Sequence, residues 1–234
     1  MTQEISSHGV LPWTDRAKSF VNALLRVGAI KLEGEYRLKL HEKHPQAPLS
    51  PFYVNLRTPG NPKPGPLTPE LVREIGTLFY GLIYFVDPPC AFDFVAGIPN
   101  AGDPLAIALA AAPPSTPLPL LCLKKEEIDG KRRIIALLGD QEAPRGSKVL
   151  LVDDVLTRAD SKREAIDALH IAGLEVADVL VLVDREQGGV EELRSLGVRV
   201  CAAFTFSSLL RHYEDTGQVS RERAEIIKEY LRNN

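Results

Sequence analysis

The chain has 234 residues, 44% of them hydrophobic and 25% charged, and its formal net charge is −3. That balance fits a globular protein of one large domain and gives no basic footprint for nucleic acid or an anionic membrane. An anionic substrate therefore needs a local basic cluster or a metal.

The cysteines are Cys90, Cys122 and Cys201. Their spacing fits no metal motif and their odd number argues against a disulfide framework, so they read as reduced, mostly packed thiols in a cytoplasmic protein. MTQEISSHGV at the N-terminus does not read as a signal peptide, and no apolar run reaches the roughly 18 residues of a membrane helix.

In chain order, residues 13 to 29 place Trp13, Ala17, Phe20, Val21, Leu24 and Leu25 at helical spacing, with Asp15 and Gly28 where caps belong. EYRLKL alternates like a strand. Prolines crowd residues 45 to 69, which predicts loop, with FYVNL as a short strand inside it. Thr68 opens a helix running from Glu70 to Asp87, and residues 92–98 form a strand ending near Gly97. A helix from Pro104 to Ala112 stops at Pro113-Pro114, and residues 118–125 form a strand. Residues 126 to 147 read as loop with a β-ribbon at KRRIIALLG. Strand 148–153, helix 161–172, strand 178–183, helix 189–196 and strand 198–203 follow, then one or two surface helices. The alternation predicts an α/β fold with a parallel sheet.

The stretch VLLVDDVLTRADS begins as a buried strand and ends in Asp153 and Asp154. Ligands of a parallel sheet sit beyond the C-terminal strand ends, where these acids are expected. Thr157 to Ser161 fall at the next helix start, whose amides bind anions. Two carboxylates beside such a cradle suit a ligand with sugar hydroxyls on one side and a phosphate on the other. Equally, the acids could simply end a strand and cap a helix.

VLLVDDVLTRADS resembles the phosphoribosyl-pyrophosphate (PRPP) motif of type I phosphoribosyltransferases. Three further stretches resemble the orotate phosphoribosyltransferases, in the family's order: residues 28–57, like its N-terminal hood with an insertion; FVAGIPNAGDPLAIALA, like its pyrophosphate loop; and VLVDREQGG, like its orotate-binding segment. The resemblance implies a type I phosphoribosyltransferase fold: a mainly parallel central sheet flanked by helices, in one domain. Its parts would be a hood at about 13–66, a core at about 68–205 and C-terminal helices at about 206–234.

It implies formation of orotidine 5′-monophosphate and pyrophosphate from orotate and PRPP, in de novo pyrimidine synthesis. Asp153 and Asp154 would face the ribose hydroxyls. Val155, Thr157, Arg158, Ala159, Asp160 and Ser161 would cradle the 5′-phosphate. Pro99, Asn100, Ala101 and Gly102 would form the pyrophosphate loop, and Lys39 would reach PRPP. Mg²⁺ would be held indirectly by Asp153 and Asp154, through PRPP or water. Phe52, Tyr53 and Arg185 would bind orotate; Lys124, Lys125, Lys131 and Asp154 would carry catalysis, the lysines from a basic loop. A homodimer is implied too, with no nucleic acid or membrane partner.

Three departures stand out. The loop reads KKEEIDGKRR, where the family usually has RKExKxHG; the third basic position falls on Ile128 and the histidine is missing. Ala159 stands where a glycine is usual, which would strain a left-handed backbone by roughly 1 kcal/mol. Asp103 replaces an aliphatic residue and could cap the next helix or bind metal. These leave open a homologue acting on another base, or a non-catalytic PRPP- or nucleotide-binding regulator.

Overall fold

The computed structural model describes residues 11–38, 40–128, 131–137 and 143–233. The first helix, α1 (Asp15–Arg26), is capped by Thr14, whose hydroxyl accepts from the Ala17 amide at 3.2 Å. Asp15 sits in the first turn rather than at the cap, where its charge favours the helix dipole. Strand β1 (Ile30–Lys31) pairs antiparallel with β2 (Tyr53–Val54), and a helical turn α2 (Leu40–Lys43) lies between them. The expected strand EYRLKL reduces to a single bridge, Tyr36 to Ser50. Two paired residues give too few ladder bonds for a longer strand among so many prolines.

Helix α3 (Pro69–Phe85) starts at Thr68, with proline in the first turn where no amide is missed. Then come β3 (Phe94–Gly97), α4 (Asp103–Ala110), β4 (Leu120–Ile128), β5 (Lys131–Leu137), β6 (Lys148–Leu156) and α5 (Asp160–Ile171). β7 (Glu175–Asp184), α6 (Gly189–Arg194), β8 (Arg199–Thr205), α7 (Phe206–Asp215) and α8 (Arg221–Asn233) complete the chain. The six-stranded sheet has the order β5-β4-β3-β6-β7-β8 and is parallel except for the β4–β5 hairpin at one edge.

This order has a consequence. From β3 the chain winds outward to β4, then returns to place β6 on the other side of β3. The strand order therefore reverses between β3 and β6, and that crevice is where an open parallel sheet binds ligands.

Period-two alternation divides the core between the two faces. Leu150 and Val152 of β6 and Leu180 and Leu182 of β7 pack with α1, α3, α7 and α8. Val149, Leu151, Val179 and Val181 pack with α5 and α6. The first face also takes in the hood: Phe52 stacks on Phe206 at 3.9 Å and meets Tyr230 edge-on at 6.0 Å. α7 is thus no surface helix, since Phe206, Leu209, Leu210 and Tyr213 are all buried. Arg223 of α8 donates to the carbonyls of Leu32, Gly34 and Pro51, fastening the hood to the C-terminal helices.

The ribbon expected at KRRIIALLG is present as β5, while the preceding strand runs three residues further than the expected 118–125. β4 continues to Ile128 and β5 pairs with it from Ile128–Lys131 to Cys122–Leu137. Leu123 and Ile134 bury their side chains in the core cluster that includes α5, which anchors the ribbon.

Candidate active site

The switch point collects three segments. The first is the turn after β3. Gly97 and Gly102 are both buried, and a Cβ on Gly102 would lie 2.2 Å from the Val152 carbonyl oxygen and 2.6 Å from the Ile98 nitrogen. Only glycine fits, because the turn presses against β6. Ile98 donates to Val152 O at 2.8 Å, which fixes the register. Asn100 adopts φ +80, and its amide donates to the Asp103 carboxylate at 2.8 Å. Asp103 therefore closes the turn rather than capping α4, whose N-cap is Gly102. Pro99 is buried, Ala101 half-buried and Asn100 exposed at the crest. The hood reaches this turn through Asn61, which donates to Asn100 O.

The second segment is the acid pair. β6 runs to Leu156, so Asp153 and Asp154 lie within the strand and not past its end. Neighbouring strand side chains point apart. Asp153 is buried, its carboxylate bonded to the Lys162 ammonium of α5 and to the Asp154 amide. Lys162 is equally buried and also donates to Val155 O at 2.6 Å. Each Asp153 oxygen thus already has one partner, so the two acids of the motif stand in different environments.

Asp154 is half-buried and accepts from the Val155 amide at 2.8 Å. Desolvation, and then the neighbouring Asp153 charge, push its carboxyl up to about 7, partly offset by Lys162 and by Arg57 of the hood. A carboxylate so poorly compensated suits a hard cation with oxygen ligands, and the donor set fits Mg²⁺.

The third segment is the helix entry. Ala159 has φ −84 and is unstrained, so the alanine carries no backbone penalty. It is buried, and its amide donates to Glu192 Oε2 at 3.1 Å. Arg158 is exposed and pairs with the same carboxylate at 3.4 Å. Thr157 and Ser161 are half-buried and Asp160 points outward. Glu192 of α6 thus already takes one cradle amide, which the sequence did not suggest.

Beside these segments lies Arg185. Its amide donates to Leu156 O at 2.9 Å, which places it directly beyond the acid-bearing strand. Asp184 Oδ1 accepts from the Glu186 amide, and Glu186 accepts from the Ser207 amide at the start of α7. Burial pushes the Asp184 carboxyl up to about 6. The Arg185 guanidinium is buried 4.6 Å above the Phe52 ring, and Nε and Nη2 have no hydrogen-bond partner among the described residues. Desolvation pushes its pKa down to about 10. Phe52 is fully buried beneath it, so any effect it has on a base passes through Arg185. Tyr53 is half-buried and stacks on Tyr36 at 5.4 Å.

The lysines are less concentrated. Lys124 and Lys125 lie in β4, so adjacent positions aim them to opposite faces. Lys124 pairs with Glu126 at 3.1 Å, while Lys125 acts on Asp103 electrostatically. Lys131 begins β5, and Lys39 lies outside the described residues. Sequence reasoning missed Lys162, Glu192, Arg57 and Asn61. Only Arg57 carried a signal, as the end of FYVNLR.

An acid-bearing strand, a tight glycine turn and a helix entry gathered at a parallel-sheet switch point define a class. The family profile described as "Phosphoribosyl transferase domain" matches residues 69–199. The chain belongs to the phosphoribosyltransferase family. It is 33% identical over 170 residues to the orotate phosphoribosyltransferase of Nostoc sp., covering 72% of this chain and 76% of that one. The structure of Leishmania donovani UMP synthase superposes with a TM-score of 0.73 at 24% identity, over 93% of this chain and 42% of that one. The orotate phosphoribosyltransferase of Aeropyrum pernix superposes with a TM-score of 0.63 at 25% identity, over 86% and 99%.

Proposed function

We infer that the chain is an orotate phosphoribosyltransferase. A ring nitrogen of orotate attacks the anomeric carbon of PRPP; the carbon–oxygen bond to pyrophosphate breaks as the nitrogen–carbon bond forms. The observation that carries this reading is the buried guanidinium of Arg185, whose Nε and Nη2 have no hydrogen-bond partner among the described residues, at a position whose amide bonds Leu156 at the end of β6. A desolvated cation with two idle donors is costly unless an anion arrives, and a planar carboxylate or ring carbonyl matches the fork.

In this reading Asp154 accepts from the ribose diol, and the turn from Pro99 to Gly102 presents backbone amides to pyrophosphate. The amides and hydroxyls from Thr157 to Ser161 hold the 5′-phosphate, with Lys39, Lys125 and Lys131 contributing positive charge. Mg²⁺, held near Asp154, supplies neutralisation of the pyrophosphate oxygens. Asp153 acts through Lys162, fixing the strand end that carries Asp154. A homodimer and a cytoplasmic location belong to the same proposal. Among the described residues no helix is long and apolar enough to cross a membrane.

Mixing the protein with PRPP, Mg²⁺ and orotate should deplete orotate absorbance and release pyrophosphate in equal amounts. No loss of orotate at high enzyme concentration rejects the reading. Pyrophosphate release with a purine or uracil, but not with orotate, reassigns the base pocket. The loop departure, with Ile128 at the third basic position and no histidine, favours one other reading, a PRPP-binding protein without turnover. Calorimetry showing tight PRPP binding with no product supports that instead.

Asp154→Asn should lower kcat/KM about 100-fold or more, since a charge-directed contact to the reacting sugar is lost. It should not unfold the protein. Because the folded carboxyl is raised to about 7, the unfolded chain ionises first as pH climbs past the ordinary carboxylate range. The ligand-free protein therefore loses stability between about pH 4 and 7, and the asparagine variant should show a shallower decline in Tm over that window. A steeper decline contradicts the assignment.

A further inference from the structure

Cys90 and Cys201 are far apart in sequence and adjacent in space. Their sulfurs are 3.9 Å apart across 111 residues, one in the connection after α3 and the other buried in β8. Arg199 organises the surroundings. Its Nε donates to Asp178 at 2.6 Å, its Nη1 to Pro88 O, and its Nη2 lies 3.6 Å from Cys90 Sγ. Cys201 pairs with Leu180 in the ladder and Arg199 with Asp178, so the cluster sits toward the strand starts, away from the switch point. A cleft of about 520 Å³, lined by Tyr84, Cys90, Phe92, Asp93 and Lys148 among others, opens onto it. None of these groups has a part in the reaction assigned above.

Cys90, Cys201 and Asp178 have their ligand atoms within 4.8 Å of one another, which alone would suit a soft metal ion. Arg199 argues otherwise. Its guanidinium already supplies the positive charge facing Asp178 and Cys90, and a divalent cation there would meet it as a like charge. A guanidinium beside paired sulfurs instead favours thiolate, which is the reactive form. The hydrogen bond from Cys90 draws Cys201 below its usual value, and the same bond, with burial, pushes Cys90 up, so the pair shares one proton held on Cys90 with the thiolate on Cys201.

We propose that Cys90 and Cys201 form a dithiol modification site that a low-molecular-weight disulfide converts to an intramolecular disulfide. Cys90, half-buried at the cleft, is the reachable sulfur. As Cys90 passes its proton to the adjacent Cys201 thiolate, its sulfur attacks one sulfur of RSSR, forming Cys90–S–S–R, and the expelled RS⁻ then takes that proton from Cys201. Cys201, as thiolate, then attacks Cys90 Sγ; the mixed bond breaks, and a second RS⁻ leaves and takes a proton from solvent. The protein dithiol loses two electrons and the small disulfide becomes two thiols. The sulfurs must close to about 2.05 Å, which the connection carrying Cys90 can supply more readily than β8. The cross-link would tie the end of α3 to β8 and close a 111-residue separation.

The full chain is incubated with oxidised glutathione, unfolded, and alkylated with iodoacetamide. Labels per chain should fall from three to one, leaving Cys122, and digestion should yield a peptide joining Cys90 to Cys201. Tm should rise by roughly 5 °C or more, as closing a loop of this length implies, and dithiothreitol should reverse it. Cys90→Ser should keep two labels and show no shift. Three labels retained, or glutathione left on Cys90 without resolution, overturns the proposal. So does one-to-one Zn²⁺ binding that protects both thiols while oxidised glutathione leaves them reduced.

Discussion

Replacing Arg185 with methionine should raise the KM for orotate about 100-fold while changing that for PRPP by less than about threefold, as loss of a buried charge-assisted contact implies. The same substitution should leave the ligand-free protein as stable as before, or more so. The guanidinium is buried over the Phe52 ring, and Nε and Nη2 have no hydrogen-bond partner among the described residues, so in the resting state it carries a desolvation cost. Methionine fills similar volume over the ring without that cost. Opposite responses of orotate affinity and Tm would show the site trading stability for recognition. Steady-state kinetics with each substrate varied in turn, beside thermal unfolding, measure both. Equal increases in both KM values, or a marked fall in Tm, would make Arg185 a structural residue.

Lys162→Met should have the largest effect on stability. Its ammonium is buried, bonded to the Asp153 carboxylate and to Val155 O. Removing one partner of a buried pair leaves the other as an uncompensated charge, at a cost of about 3–5 kcal/mol. In a chain of this length that corresponds to a fall in Tm of about 10 °C. Adding Asp153→Asn removes the stranded charge and should recover much of the loss, so the two effects should be strongly non-additive. Activity gives the second readout. If Asp153 serves by positioning the strand end, the double variant should retain measurable transfer, whereas Asp154→Asn should not recover in any background. A Lys162→Met protein as stable as the parent would mean that the pair contributes nothing.

Glu192 bears on affinity in a different way. It holds the Ala159 amide and pairs with Arg158. An arriving 5′-phosphate competes for that amide, so this chain's cradle is partly satisfied before ligand binds. The Arg158 charge is directed at Glu192 and not at the anion. That contact offers a physical reason for the unusual TRADS sequence: arginine and alanine there suit a carboxylate from α6.

The sequence was sufficient for the αβ alternation, because period-two and period-3.6 apolar patterns follow from which faces must leave water. It was sufficient to recognise the family, because the four stretches that carry the resemblance are each contiguous and stand in the family's order. Where it fell short, the deciding interactions were distant in the chain. The extent of β6 through Leu156 depends on pairing with β7, so Asp153 and Asp154 came to lie inside a ladder. The split of that acid pair depends on Lys162, which by its sequence alone is an ordinary solvated lysine early in a helix. The β-ribbon at KRRIIALLG was legible, but not the extension of β4 to Ile128 nor the burial of Leu123 and Ile134 in the core with α5.

What the order of residues determined by itself was a wound sheet and an acid-bearing strand followed by a helix entry. Only tertiary packing decided that Asp153 and Asp154 stand in different environments, that Arg185 Nε and Nη2 are buried without a hydrogen-bond partner among the described residues, and that Cys90 meets Cys201. Burial and charge compensation are properties of neighbours, and for these residues every decisive neighbour comes from another element.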